Sequence, residues 1–180
     1  MPESPPPAAA IVVAAGQGLR AGGATPKQFV PWRGKPMVRH SVEALIGADL
    51  APIVVAVAPD AIAHAATLLE GTGARIVAGG ETRRQSVANA LEALAADAPR
   101  AVLIHDAARP GLQTAVIGRL IAALETAPGA IPVLPVVDSL HREGEGRVER
   151  ERLHRVQTPQ AFRFAEILAA HRAWPKGADA

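Results

Sequence analysis

Three stretches of this chain carry residue types able to do chemistry together. The first, "AAGQGLRAGGATPKQ" (Ala14 to Gln28), sets a glycine-rich loop with Arg20 and Lys27 directly behind the apolar run "AAAIVVAA". The backbone N–H groups of such a loop hold phosphate, and two cations neutralise the charge that builds up on a phosphoryl group under attack. The second, "VLIHDAARP" (102–110), ends an apolar run at His105 and puts Asp106 at its C-terminal lip. A triphosphate usually brings Mg²⁺, which takes carboxylate oxygens alongside phosphates and water, and Asp106 is a candidate ligand. Arg109 could pair with Asp106 or reach a phosphate. The third, "AGGETRRQS" (78–86), has Gly79 and Gly80, which allow close backbone approach to a flat base or sugar. Arg83 and Ser86 follow three apart, so both can project from one helix face into the same site. The combination points to transfer at phosphorus.

Plainer readings exist for each feature. Gly16, Gly18 and Ala21 satisfy the dinucleotide pattern G-x-G-x-x-G/A behind a strand. That fold wants an acid closing its second strand about 20 residues on, whereas the second strand here ends at Asp60, about 40 residues beyond Gly18. It also holds its pyrophosphate mainly on backbone N–H groups and has little use for two loop cations. No G-K-[ST] follows the glycines, which excludes a P-loop. From the residues alone, a glycine-rich turn with solvated cations stays open, as does Asp106 capping the turn after it. Glu81 and Thr82 read equally as first-turn or capping residues. His105 reads as structural, since no second ligand or base stands at useful spacing. With no cysteine and no Ser-His-Asp grouping, a covalent intermediate on the protein is not expected.

Such a site needs a scaffold that gathers distant loops at one edge. Strands are expected at "AIVVA" (10–14), "IVVAVA" (53–58), "ARIVA" (74–78), "AVLIH" (101–105) and "AIPVLPVV" (130–137). Their near-continuous apolarity suits strands covered on both faces, as in a parallel sheet. Helices are expected at "MVRHSVEALIGA" (37–48), "AIAHAATLLEG" (61–71), "RRQSVANALEALAAD" (83–97), "TAVIGRLIAALET" (114–126) and "FAEILAAHRAW" (164–174). In the third, Val87, Ala90, Leu91 and Leu94 fall at i, i+3, i+4 and i+7. The alternation specifies an α/β fold with a doubly wound, mostly parallel sheet and ligands beyond the strand C-termini. After Val137 the polar stretch "DSLHREGEGRVERERLHRVQTPQ" is too long for a structureless loop and reads as a protruding β-hairpin arm, about 138–157, with its tip near "EGEG". A second subunit is the obvious surface for it; a solvated excursion is the alternative.

At 180 residues the chain is long enough for one domain with a substantial core. Net charge is +2 and aromatics are 3% with no tyrosine, so neither a basic stripe nor a base-stacking platform for nucleic acid is available. The absence of cysteine suits a reducing cytoplasm. "MPESPPPAAA" has no basic n-region and prolines where a helix would form, so residues 1–7 read as a disordered tail, not a signal peptide. No apolar run approaches the roughly 20 residues of a membrane span.

"AAGQGLRAGGATPKQF", "GGETRRQSV", "HDAARP" and "TPQAF", in this order and spacing, resemble the 2-C-methyl-D-erythritol 4-phosphate cytidylyltransferase family. The likeness runs from about Ala9 to Gly177. The glycine loop alone marks only the wider nucleotidyltransferase superfamily, while "HDAARP" with "TPQ" is far more specific. The resemblance implies a Rossmann-like nucleotidyltransferase domain over residues 8–180 and a Mg²⁺-dependent reaction of CTP with methylerythritol phosphate, releasing pyrophosphate. It implies that Ala14, Ala15, Gly16 and Ala107 lie along the CTP, that Gly80 and Ser86 line the cytosine pocket, and that Arg20 and Lys27 stabilise the transition state. Asp106 would hold Mg²⁺, and Arg109 would bind substrate. It further implies a homodimer through the arm, with Ser139 (where the family commonly has threonine, so the hydroxyl is kept) and Arg150 reaching methylerythritol phosphate in the partner subunit.

Family members continue with an acidic "T-D-[DE]-A"-like motif and a later lysine, whereas "GADA" closes the present sequence. The resemblance therefore leads us to expect a longer or bifunctional protein whose remainder supplies an acid near the metal and a cation near the phosphates. A cytidylyltransferase for another polyol phosphate, such as ribitol 5-phosphate, shares the loop and differs in the alcohol pocket. A truncated nucleotide-binding module without turnover is the alternative of another class.

Overall fold

The computed structural model, which describes residues 7–16 and 25–175, puts the apolar run near the start of the chain at the centre of its main sheet. In chain order the elements are β1 (Ala8–Ala14), the ribbon β2 (Pro31–Trp32) and β3 (Lys35–Pro36), α1 (Met37–Ile46), β4 (Ile53–Val57), α2 (Ile62–Leu68), β5 (Arg75–Ala78) and α3 (Arg83–Ala93). Then follow β6 (Ala101–Asp106), α4 (Thr114–Ala123), β7 (Gly129–Ala130), β8 (Val133–Pro135), β9 (Leu140–Arg142), β10 (Gly146–Val148), β11 (His154–Val156), β12 (Gln160–Arg163) and α5 (Phe164–Ala173). The sheet order is β5-β4-β1-β6-β12-β7. β5, β4, β1 and β6 are parallel, and β12 runs antiparallel to both of its neighbours.

Side chains alternate across this sheet and both faces are covered, which is why the central strands β1 and β4 are apolar throughout. Ala8, Ala10, Val12 and Ala14 of β1 share one core with Val38, Val42 and Leu45 of α1, Ala65 of α2, and Ile117 and Leu120 of α4. Ala9 and Ile11 share the other with Val87, Ala90 and Leu91 of α3, and Phe164 and Leu168 of α5. The four periodic positions Val87, Ala90, Leu91 and Leu94 are all buried, as the spacing predicts. Each fully buried Leu or Val contributes roughly 1.5–3 kcal/mol. Thr82 caps α3, its hydroxyl accepting from Gln85 N at 3.1 Å.

Two expectations change. "AIPVLPVV" is not one strand: β7 ends at Ala130, and β8 leaves the main sheet to pair with β11. Pro132 and Pro135 have no N–H for a ladder, so the run cannot continue as a central strand. The place beside β6 is taken by β12, from the "TPQAF" segment, which the sequence reading does not identify as a strand. The arm accordingly starts earlier than position 138. β8 and β11 form its stem, and β9 and β10 form a distal hairpin that turns through Gly144 and Gly146, both at positive φ. The expected tail covers residues 1–7. Residues 1–6 lie outside the described residues, while Pro7, just ahead of β1, is tied to the start of β6: its carbonyl accepts from Ala101 N at 3.2 Å. No helix among the described residues is long and apolar enough to cross a membrane.

Candidate active site

Because β1, β4 and β6 are parallel, the loops leaving their C-terminal ends share one edge of the sheet. A cavity of about 430 Å³ opens there. It is lined by Val13, Ala14, Ala15 and Gly16 from the first turn, Lys27 and Gln28, then Gly80, Glu81, Thr82, Arg83 and Ser86, and finally Asp106, Ala107 and Ala108.

Local chemistry fixes each wall. Gly79 N donates to Val57 O at 2.7 Å, carrying the loop after β5 up against β4. A Cβ on Gly79 would stand 2.5 Å from the Ala15 Cβ and 2.8 Å from the Ser86 Oγ, so only glycine lets this loop abut the first turn. Ser86 is buried; its Oγ accepts from Gly80 N at 3.0 Å and donates to Thr82 O at 2.9 Å. The hydroxyl thus shapes the loop around Gly80. Across the cavity, the buried Gln28 amide donates to Ala14 O at 2.7 Å and Gly16 O at 2.9 Å. The buried Ser41 Oγ of α1 donates to Ala107 O at 3.0 Å and anchors the turn behind Asp106.

Asp106 stands between two arginines. Arg83 Nε and Nη2 reach its Oδ1 at 3.2 and 3.1 Å, and Arg109 Nε lies 3.6 Å from its Oδ2. Arg109 Nη1 also donates to Gln157 Oε1 at 2.7 Å. These pairs are solvent-accessible and worth at most about 1 kcal/mol each, so a stronger cation or anion can displace them. Beneath them, His105 is 1% exposed. Its Nε2 faces the Arg109 carbonyl at 3.0 Å and must be the protonated nitrogen, leaving Nδ1 to accept from the Thr158 hydroxyl at 3.1 Å. Thr158 Oγ1 in turn accepts from Asp106 N at 3.4 Å. Burial pushes the His105 imidazole below its ordinary pKa, so it stays neutral and structural. This chain of bonds is the physical link between "HDAARP" and "TPQ".

Of the residues singled out in the sequence, Ala14, Ala15, Gly16, Lys27, Gly80, Arg83, Ser86, Asp106 and Ala107 come together around the cavity. Arg109 sits beside it, joined through Asp106. Ser139 and Arg150 are exposed on the arm and are not among the lining residues; Arg150 Nη1 donates to the Val137 carbonyl, two positions before Ser139. Arg20 lies outside the described residues. Two participants escape sequence reasoning, Gln28 with its two bonds and Thr158; Arg83 is expected at the site, and only its grip on Asp106 is new. Only the adjacency of Gln28 to Lys27 and of Thr158 to "PQ" offers a signal. Among the described residues no three His, Cys, Asp or Glu side chains gather as a metal cage. The Asp106 carboxylate at this cavity is the kind of donor that suits an ion such as Mg²⁺, which is commonly held by one or two carboxylates and the substrate's own phosphates.

The family model described as "IspD: 2-C-methyl-D-erythritol 4-phosphate cytidylyltransferase" matches residues 8–180. The bifunctional enzyme IspD/IspF of Novosphingobium aromaticivorans is 59% identical over 172 residues, covering 92% of this chain and 44% of that protein. The 2-C-methyl-D-erythritol 4-phosphate cytidylyltransferase of Cereibacter sphaeroides (strain ATCC 17029 / ATH 2.4.9) is 50% identical over 178 residues, covering 94% and 79%. Among solved structures, the 2-C-methyl-D-erythritol 4-phosphate cytidylyltransferase of Thermus thermophilus superposes with a TM-score of 0.76 at 35% identity, over 95% of this chain and 79% of that one. The bifunctional IspDF of Campylobacter jejuni gives 0.82 at 25% identity, over 96% and 45%. The chain spans less than half the length of the bifunctional relatives it matches first, at 44% and 48%. On a match that runs through nearly all of its residues, the chain belongs to the 2-C-methyl-D-erythritol 4-phosphate cytidylyltransferase (IspD) family.

Proposed function

We propose that this chain catalyses cytidylyl transfer from CTP to 2-C-methyl-D-erythritol 4-phosphate, a step of isoprenoid precursor biosynthesis by the non-mevalonate route. The observation that carries the reading is the meeting, in one cavity, of the first-turn backbone, Lys27 and the Asp106 carboxylate from across the sheet. A phosphate oxygen of methylerythritol phosphate attacks the α-phosphorus of CTP. A new P–O bond forms, the bond to the β-phosphate bridging oxygen breaks, and pyrophosphate leaves with the electron pair. The product is 4-diphosphocytidyl-2-C-methyl-D-erythritol.

The protein's part is positioning and charge stabilisation. Ala14, Ala15, Gly16 and Ala107 would run along the nucleotide, and the pocket shaped by Gly80 and Ser86 would receive cytosine. Lys27, with Arg20 from the same loop, would offset charge on the phosphates. Asp106 would hold Mg²⁺ jointly with the triphosphate, where the ion neutralises phosphate charge. Arg83 and Arg109 keep that carboxylate paired until then, and Arg109 is also poised for the second substrate. Ser139 and Arg150 would act on methylerythritol phosphate in the partner subunit of a homodimer. In support, Val133, Leu134, Val137, Leu153 and Val156 are all exposed on this one arm, and Val137 is 63% exposed. A cysteine-free chain consuming CTP suits the cytoplasm.

Pyrophosphate release should be followed with CTP, Mg²⁺ and either methylerythritol phosphate or ribitol 5-phosphate, alongside calorimetric titration of CTP. Release with methylerythritol phosphate is the expected result. Release with ribitol 5-phosphate alone assigns a different alcohol, and CTP binding without pyrophosphate makes the chain a binding module.

A further inference from the structure

We propose that Gln28 is a positioning residue that couples the first-turn backbone to Lys27, so that one side chain sets both halves of the triphosphate cradle; this rests on the cytidylyl-transfer reading above. The amide is 6% exposed and lines the cavity. Its Nε2 spends both hydrogens on Ala14 O at 2.7 Å and Gly16 O at 2.9 Å. The flipped amide would set oxygen against two carbonyl oxygens, so the chemistry permits only this orientation. In a trans peptide the N–H points opposite to the C=O. Drawing the Ala14 carbonyl toward Gln28 therefore turns the Ala15 N–H the other way, at a residue that lines the cavity.

The same residue governs the cation. Gln28 is the middle of the single 3-10 turn Lys27–Phe29, in which Phe29 N bonds Pro26 O at 2.9 Å and Val30 N bonds Lys27 O at 3.1 Å. Phe29 is buried in the core on the α1 side, edge-on to His64 with ring centroids 5.2 Å apart. The turn is thus pinned at Phe29 by packing and at Gln28 by two hydrogen bonds, and Lys27 is its remaining, cavity-lining member. Without the amide, the carbonyls of Ala14 and Gly16 lose their shared donor, and the Lys27 side chain loses its fixed distance from the backbone it works with.

The test is a double-mutant cycle on the full chain with Lys27→Ala and Gln28→Met. It is read by pyrophosphate release from CTP and methylerythritol phosphate and by calorimetric binding of CTP and of inorganic tripolyphosphate. Gln28→Met is expected to lower kcat by at least about 10-fold and weaken tripolyphosphate binding, yet to cost no more than about 3-fold further once Lys27 is gone. Equal losses in the wild-type and Lys27→Ala backgrounds would mean that Gln28 only packs, and overturn the proposal. Wild-type turnover and tripolyphosphate affinity in Gln28→Met would overturn it too. If Gln28→Met does not fold, Gln28→Glu repeats the cycle at constant side-chain size with the donor replaced by oxygen. Wild-type protein that binds tripolyphosphate but releases no pyrophosphate refutes cytidylyl transfer while leaving the cycle readable on binding; wild-type protein that binds neither ligand refutes both.

Discussion

Replacing Asp106 with asparagine separates what this carboxylate does for the fold from what it does for chemistry. Its side chain is 32% exposed, and its partners Arg83 and Arg109 are 48% and 49% exposed. Ion pairs this accessible contribute about 0.2–1 kcal/mol each, and the Arg109 contact is long at 3.6 Å, so the pair together stabilises by about 1 kcal/mol. The backbone bond from Asp106 N to Thr158 is unaffected. For a chain of this length that loss lowers Tm by roughly 2–4 °C. If the carboxylate acts on the phosphates, turnover should fall about 10²–10³-fold, equivalent to about 2.7–4 kcal/mol of transition-state stabilisation. Thermal unfolding and pyrophosphate release on the same preparation give both numbers. Turnover within about threefold of wild type would refute a role at the phosphates. A stability loss above about 3 kcal/mol would instead show a structural anchor that its exposure does not allow.

Gly79→Ala places a methyl 2.5 Å from the Ala15 Cβ and 3.2 Å from the Val57 carbonyl, so a backbone shift costing about 1–3 kcal/mol is expected. Urea unfolding and CTP calorimetry should both register it, and unchanged values in both would mean the close approach is unimportant. Burial holds His105 neutral in the fold while the unfolded chain takes up a proton near its ordinary pKa of 6.5. Stability is therefore full above about pH 6.5 and is lost as pH falls, at up to about 1.4 kcal/mol per unit for this group. His171, lowered mainly by burial and then by Arg84, adds in the same direction. Urea midpoints at pH 7.5 and 5.5 test this, a flat profile counting against it. Leu134→Glu puts a charge on an exposed apolar position of the arm stem. It should convert a dimer to a monomer in sedimentation and abolish turnover together; a wild-type chain that already sediments as a monomer would remove the arm's proposed role.

Much of the scaffold was legible because burial is written locally. Four of the five apolar runs and the helix-period segments between them identify elements by side-chain spacing alone. The glycine loop behind β1, the Gly79–Gly80 turn and Asp106 at the lip of β6 then follow from where parallel strands must end. The arm's tip was readable from "EGEG", since a reversal at positive φ selects glycine. "AIPVLPVV" misled because its apolarity outweighed its two prolines, and β12 was hidden because a four-residue strand behind a charged segment has too short a period to register.

What the chain determines by itself is the kind of each element and the residue types at each loop. Strand order decides the rest. Arg83 meets Asp106 across 23 residues, Gln28 meets Ala14 across 14, and Thr158 meets His105 across 53. Thr158 reaches His105 because β12 lies beside β6, and Arg83 reaches Asp106 because parallel β5, β4, β1 and β6 bring their C-terminal ends to one edge. Gln28 reaches Ala14 because the chain after β1 folds back on that strand. Hydrophobic spacing acts over a few residues and fixes which face is buried, whereas the choice of neighbouring strand is made by packing of the whole core, and no local pattern encodes it.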